Sequence, residues 1–295
     1  MTSRSALLWM THVWNEELEA EFESILHNND PDFPDVWLIL DSRTPHAADL
    51  CRRFRRCHVF TEKELFRHLP YPHHEGVTLF DNMHFPILDF YLSHPEYDYY
   101  WIIEFDVRYT GDWGTFLHAF STFDHDLVTS HIRHFHEEPG WWWWDSLHHF
   151  SITIERARYL RSFNVIYRIS HRALTRVHDA QMDGWYGHPE VLLPTLLSDN
   201  GYTLLDFGGD GEFAMPGGKN VFYTSGSTGN GVLNPFCTMR WRPSRAKAGV
   251  WKNKLYHPVK PSAMMEPLSD RIRFFSRWIW TYICEKLQGR TKQDR

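Results

Sequence analysis

The 295-residue sequence predicts an α/β fold, with a mostly parallel central sheet flanked by helices and a loop-rich C-terminal part. Three observations point there. Tyr99-Tyr100-Trp101-Ile102-Ile103 is a continuous apolar run of strand length, as expected of a strand buried on both faces in a parallel sheet. The chain opens with strand, helix and strand, which implies a parallel pair joined by a right-handed crossover. The apolar run ends in Glu104-Phe105-Asp106, at the edge where open α/β sheets bind ligands.

In chain order, Ala6 to Val13 reads as the first buried strand. Asn15 then caps a helix to about Leu26, and Asn28-Asn29-Asp30-Pro31 breaks it. Asp35 to Asp41 is a second strand ending in an acid, and Val59-Phe60 is a short third. Glu62 to His68 reads as helix, followed by a Pro/His loop from Pro70 to Gly76. Asp81 to Leu92 is predicted helical, with Pro86 in its first turn or at a kink. After the turn Thr110-Gly111-Asp112, Trp113 to Phe120 is a helix and Asp126 to Ser130 a strand. His131 to Trp144 reads as a loop, polar and then tryptophan-rich. Asn164 to Ser170 is a strand and Arg172 to Met182 a helix. Gly184 to Gly187 breaks the pattern before a helix from Pro189 to Ser198. Gly208 to Lys254 reads as loops with short strands, and Asp270 to Gln288 as a final helix. With no repeat, linker or composition shift, one domain over 1–267 is expected, with 268–295 as an amphipathic helix and tail.

A hydrophobic fraction of 42% and an aromatic fraction of 16% exclude a disordered chain. The 14 Trp suit a sugar-handling protein, because pyranose faces stack on indoles. A net charge of -6 argues against a nucleic-acid partner, which calls for a basic footprint. Cys51, Cys57, Cys237 and Cys284 form no CxxC pair, so a reduced, cytoplasmic chain is expected. The first ten residues lack the pattern of a signal peptide, and no stretch reaches the roughly 18 apolar residues of a membrane span. The expectation is a soluble or peripheral protein.

Strand alternation aims Glu104 and Asp106 at one face. Two carboxylates aimed at one spot repel unless a proton or cation sits between them. Hard divalent ions take oxygen ligands and complete their shell with substrate phosphates. The same pair also reads as strand-end acids facing water. Buried strand, acid-x-acid and turn together resemble the metal motif of GT-A type nucleotide-sugar-dependent glycosyltransferases, with Glu as the first acid. Trp101 to Trp113 also resembles the W-x-I-E-x-D-V-R-Y-T-G-x-W string of glycosyltransferase-like proteins.

The resemblance extends in element order over residues 6 to 260 and implies roles for further residues. Glu190, in the first turn of the helix opened by Pro189, resembles the acid that removes the acceptor proton in inverting members. His257, in His257-Pro258-Val259-Lys260, resembles the late histidine that completes the metal shell beside Glu104 and Asp106. Such a mixed set suits Mn²⁺ and tolerates Mg²⁺, with Glu104 acting directly or through water. Lys260, Thr11, Asp41 and Asn82 are the expected donor-site residues. Trp143, within the four indoles Trp141 to Trp144, and Trp185 are the expected acceptor contacts.

The function expected is transfer of a sugar from a nucleotide donor to a hydroxyl of a glycan or lipid-linked acceptor, the metal neutralising the leaving diphosphate. A nucleotidyltransferase is the first alternative, although Thr11 to Asn15 lacks the glycine-rich basic loop that chemistry uses. A non-catalytic carbohydrate-binding protein is the second. In Asp270 to Gln288, basic residues alternate with Ile, Phe and Trp. That helix reads either as docked on the sheet with snorkelling arginines or as lying in a membrane interface.

Overall fold

The structure, a computed structural model, describes residues 3–28, 30–73 and 78–293; Asn29 of the predicted breaker and 74–76 of the Pro/His loop lie outside the described residues. The first half runs β1 (Ser5–Thr11), α1 (Glu16–Leu26), β2 (Asp35–Asp41), α2 (Ala47–Arg53), β3 (Cys57–Phe60), α3 (Glu62–His68), α4 (Phe85–Ser93) and β4 (Tyr99–Glu104). There follow β5 (Arg108–Tyr109), α5 (Trp113–His118), β6 (Leu127–His134), β7 (Leu160–Ser170), α6 (His171–Asp183) and α7 (Pro189–Asp199). The chain ends in β8 (Leu204–Asp206), β9 (Leu255–Tyr256) and α8 (Leu268–Gln293).

Seven strands form one sheet in the order β3-β2-β1-β4-β7-β6-β8, and β5 pairs with β9 in a separate two-stranded ladder. In the large sheet only the β4–β7 and β6–β7 pairs are antiparallel, so β7 alone runs against the rest. The mostly parallel expectation holds. Both faces are covered, which is why residues 6–10 of β1 and 100–103 of β4 are apolar at successive positions rather than at alternate ones. Leu7, Trp9, Trp101 and Ile103 pack with Phe22, Phe116 and Phe120 on one side. Ala6, Leu8, Tyr100 and Ile102 pack with Phe85, Phe90 and Leu174 on the other. A third cluster gathers Trp141, Trp144, Trp185 and Leu192 beneath α7.

Caps fix the helix ends that matter here. The Asn15 side chain accepts from Leu18 N–H at 2.9 Å and starts α1 as predicted. At the end of α6, Gly184 adopts φ 118°, a conformation that residues with a Cβ rarely take, and there the chain turns toward α7.

Four expectations are corrected, and one helix that the sequence did not signal is added. The predicted helix Asp81 to Leu92 divides into a 3-10 turn, Leu79–Asn82, and α4, because Pro86 fits only a first turn and Thr78 with Asp81 caps the 3-10 turn. α2 has a single buried residue, Leu50, so it gives no periodic signal. The loop reading of His131 onward is overturned by β6 continuing to His134, with Trp142–Ser146 as a further 3-10 turn. β7 likewise begins at Leu160, four residues before the prediction. In both extensions polar side chains are buried under loops, which hides a strand from a search for apolar patterns. Lastly, Cys51 and Cys57 are joined in a disulfide with Cα atoms 5.2 Å apart, while Cys237 and Cys284 are free. Among the described residues, no helix is long and apolar enough to cross a membrane.

α8 is docked along one face. Phe274 lies 6.3 Å from the Trp241 ring, Phe275 and Trp278 flank Phe236 at 5.0 and 5.9 Å, and Glu285 Oε1 accepts from Gly229 N–H at 2.9 Å.

Phe120 sits at the centre of the aromatic layer under β4, with Phe116, Phe207 and Phe222 at 5.2–5.3 Å. Phe120→Ala is expected to lower unfolding stability by about 3–5 kcal/mol in urea titrations, the usual cost of an aromatic-sized core cavity. A loss under about 1 kcal/mol would show that the layer collapses to fill the space.

Candidate functional site

β1 and β4 lie side by side in parallel, with Met10 opposite Glu104, so the two strands end together. Phe105 N–H donates to Met10 O at 3.0 Å and Val107 N–H to Glu104 O at 3.0 Å, which turns the chain sharply after Glu104. Asp106 therefore lies in a turn, not on the strand, and its convergence with Glu104 comes from that turn rather than from strand alternation. His257 arrives from the far end of the chain through the β5–β9 ladder, where Arg108 pairs with Tyr256 and Tyr109 with Leu255. Val259 N–H adds a bond to Asp106 O at 2.8 Å. One ligand atom each from Glu104, Asp106 and His257 then lies within 4.8 Å of the others.

The chemistry of these donors fits a divalent cation. His257 Nδ1 is 2.7 Å from Arg240 O, and a carbonyl only accepts, so Nδ1 carries a proton and Nε2 points at Asp106 Oδ1, 3.4 Å away. That Asp106 oxygen is buried and has no hydrogen-bond donor. Lys260 Nζ stands 3.5 Å from Asp106 Oδ2. Burial works to raise the Asp106 carboxyl, but His257 and Lys260 outweigh it and hold it below the usual range. Glu104 goes the other way. Burial first, then the negative charges of Asp106 and Glu190, push it well above the usual range. An undonated carboxylate oxygen beside a second carboxyl and an imidazole nitrogen is a donor set that fits a divalent cation.

These groups form the floor of a cavity of about 520 Å³. Glu190, in the first turn of α7 as predicted, stands on one wall with His188, Asn164 and Arg161. Burial pushes the Glu190 carboxyl up to about 7, against the opposing pull of Arg161, the Asn164 N–H and His257. It is thus half-protonated near neutrality, the range in which a general base works best. Burial drives His188 and His84, on the same walls, down to about 3, so both imidazoles are neutral at pH 7. Trp143 lies flat on His188 with ring centres 4.3 Å apart. Phe80, Trp142 and Trp241 are exposed at the rim, and Phe274, Arg277 and Trp278 of α8 close one side.

Arg161 is a cavity residue that sequence reasoning missed. Its Nη1 donates to Glu138 Oε2 at 2.9 Å and to Gly231 O at 3.1 Å, and its guanidinium lies 4.0 Å over the Trp141 ring. Those partners are 23 and 70 residues away in sequence, so no local motif marks it.

Of the residues expected from the sequence, Glu104, Asp106, His257, Lys260, Glu190 and Trp143 all line this cavity, and Thr11, Asp41, Asn82 and Trp185 do not. Thr11 and Asp41 close β1 and β2, on the shelf beside the end of β4. Their polar atoms are already engaged. Thr11 Oγ1 donates to Val13 O at 2.6 Å, while Asp41 accepts from Arg43 N–H at 2.8 Å and its Nε at 2.9 Å. Asn82 is buried and donates to Thr78 O at 3.3 Å, holding the 3-10 turn that presents Phe80 to the cavity. Trp185 is buried in the third core cluster, where its bulk supports α7. Of the four consecutive indoles, Trp141 and Trp144 are buried and Trp142 is exposed, as no single face can hold all four.

Fold and site together define an α/β protein with an acid-floored, aromatic-walled cavity at the carboxyl ends of parallel strands. The sequence profile of a family described as "Protein of unknown function (DUF3405)" matches residues 42–127. That stretch runs from the end of β2 through Glu104 and Asp106 to the start of β6, and leaves Glu190 and His257 outside it. No curated protein matches the chain.

The Glu190 environment has a consequence for stability. The folded chain holds this proton to about pH 7, whereas the ordinary value is 4.5. Between those values the folded state binds more protons than the unfolded one, so the group's contribution to stability falls as pH rises. Glu190→Gln lacks that loss. The variant is expected to gain on the wild type through this window, reaching on the order of 3 kcal/mol above pH 7 in urea titrations. A stability difference that stays flat with pH would show that Glu190 ionises normally.

Proposed function

We propose that the protein is a metal-dependent glycosyltransferase of GT-A type, moving a sugar from a nucleotide-sugar donor to a hydroxyl of a glycan or lipid-linked acceptor. The observation that carries this reading is the convergence of Glu104, Asp106 and His257 within 4.8 Å, with the poised carboxyl of Glu190 on the wall of the same cavity. A divalent ion bound there, Mn²⁺ or Mg²⁺, supplies charge neutralisation for the leaving diphosphate.

The chain's own residues do the rest. Lys260 meets the diphosphate as a point charge on the cavity floor. Glu190 accepts the proton of the acceptor hydroxyl as its oxygen bonds to the anomeric carbon, while the bond from that carbon to the diphosphate breaks and the diphosphate keeps the electron pair. Arg161, behind Glu190, favours the charged form of the base and limits how far burial raises it. Trp143, held flat by His188, offers a ring face for a sugar. An overall charge of -6 gives no basic footprint for nucleic acid.

A thermal-shift panel of nucleoside diphosphates with and without Mn²⁺ tests the reading, since ligand at a hundredfold over its Kd stabilises by about 2.7 kcal/mol. Stabilisation is expected only when both are present. Asp106→Ala and His257→Ala should abolish that joint effect while circular dichroism stays native. An undiminished effect in Asp106→Ala would sink the metal assignment. A protein that binds free sugars but never a metal–diphosphate would instead be a carbohydrate-binding module.

With a turnover assay in hand, Glu190→Gln should cut kcat by about 10²–10⁴-fold with donor affinity unchanged. Near-normal turnover would assign Glu190 a structural role or the reaction a retaining course.

A further inference from the structure

α8 has a second face that the fold leaves uncovered. Opposite the docked side chains Phe274, Trp278 and Glu285, the residues Leu268, Ile272, Ile279, Trp280, Ile283 and Leu287 fall in a stripe about 120° wide. All six are exposed, Trp280 at 70% and Leu287 at 59%. Single exposed leucines are ordinary on a protein surface, but six large apolar side chains in one stripe over five turns of a helix, interrupted at Ser269 and Ser276, are not.

The charge around the stripe selects its occupant. Leu268–Gln293 carries six Arg and Lys against Asp270 and Glu285, in a chain whose net charge is -6. The exposed side chains of Arg273, Arg277 and Lys286 flank the apolar stripe. A second copy of this chain would bring two basic helices face to face, which repels. An anionic bilayer offers the complement to both features, headgroups for the cations and acyl chains for the stripe, and indoles such as Trp280 favour that boundary.

The same helix borders the cavity. Trp241, exposed at the rim, lies 6.3 Å from Phe274 of α8 and 5.9 Å from Trp142, so an aromatic margin leads from the helix to the cavity mouth. We propose that α8 lies in the headgroup region of an anionic bilayer and presents the aromatic mouth of the cavity to an acceptor carried on a lipid. The bilayer contact follows from the helix alone, and the lipid-linked acceptor rests on the glycosyltransferase reading.

Flotation of the full chain with phosphatidylcholine vesicles and with vesicles containing phosphatidylserine tests the contact. The wild type is expected to float with the anionic vesicles, and less so with neutral vesicles or at high salt. The double variant W280S/I283S alters only exposed positions and is expected to lower the vesicle-bound fraction about tenfold or more. Its circular dichroism and its Mn²⁺-dependent thermal shift with a nucleoside diphosphate should match the wild type. Loss of flotation with that thermal shift intact separates this contact from the metal site. The proposal is overturned if the wild type does not float with anionic vesicles, or if the variant floats equally. It also fails if light scattering shows a wild-type dimer that the variant dissolves, since the stripe is then a contact between copies.

Discussion

Glu104, Asp106 and Glu190 face one cavity, and like charges a few ångströms apart inside a protein cost about 4 kcal/mol per pair at an effective dielectric of 20. The arrangement of the site follows from how that repulsion is relieved. Asp106 lies against His257 and Lys260, which outweigh its burial and hold its carboxyl below the usual range. Glu104 is pushed well above the usual range, by burial first and then by the negative charges of Asp106 and Glu190. Glu190 sits between these extremes, opposed by Arg161. Each carboxyl comes from a different element, namely a strand end, a turn and a helix first turn. Moving Asp106 or Glu190 changes the ionisation of Glu104.

A loop-rich segment walls this cavity only because buried charges fasten it down. Glu138, 2% exposed, accepts from His131 Nε2 and Arg161 Nη1, both at 2.9 Å, and from Ser227 Oγ. Burial opposes the charge on Glu138, but His131 and Arg161 overcome it and hold the carboxyl below the usual range. Asp206 plays the same part at the end of β8, accepting from the Ile132, Gly208 and Gly209 N–H groups and from the Tyr223 hydroxyl. Removing one partner from such a network leaves a charge buried without compensation, which costs far more than a surface ion pair is worth. The network therefore ties Gly208, Gly209, Tyr223, Ser227 and Gly231 to Asp206, Glu138 and Arg161, beside the cavity wall at Trp141.

α8 joins the cavity to the surface. Its inward aromatics close one side of the cavity, while its outward stripe is exposed. A helix whose inner face shapes a site and whose outer face meets a separate phase can couple occupancy of the two without any long-range change in the fold. The docked and interfacial readings of this helix are thus not rivals, because they describe opposite faces.

Whatever depends on near neighbours in the chain was legible in the sequence. The apolar run Tyr99 to Ile103, the Asn15 cap and Pro189 at a first turn each fix local structure by steric or hydrogen-bonding rules acting over a few residues. The acid pair at the end of β4 was legible in the same way, as the first charged residues after a continuous apolar run. The polar ends of β6 and β7 were not legible, because what makes them strands is burial under a segment up to 100 residues away. The same reason hid Arg161, whose counterion and carbonyl partner come from distant loops. It also separated Trp143 from Trp185: both are tryptophans beside the same helix, yet only packing decides that one meets the cavity and the other fills the core. The sequence determined which groups are present at each element's end. The tertiary structure decided which of them share a volume, because burial and Coulomb forces act through space and not along the chain.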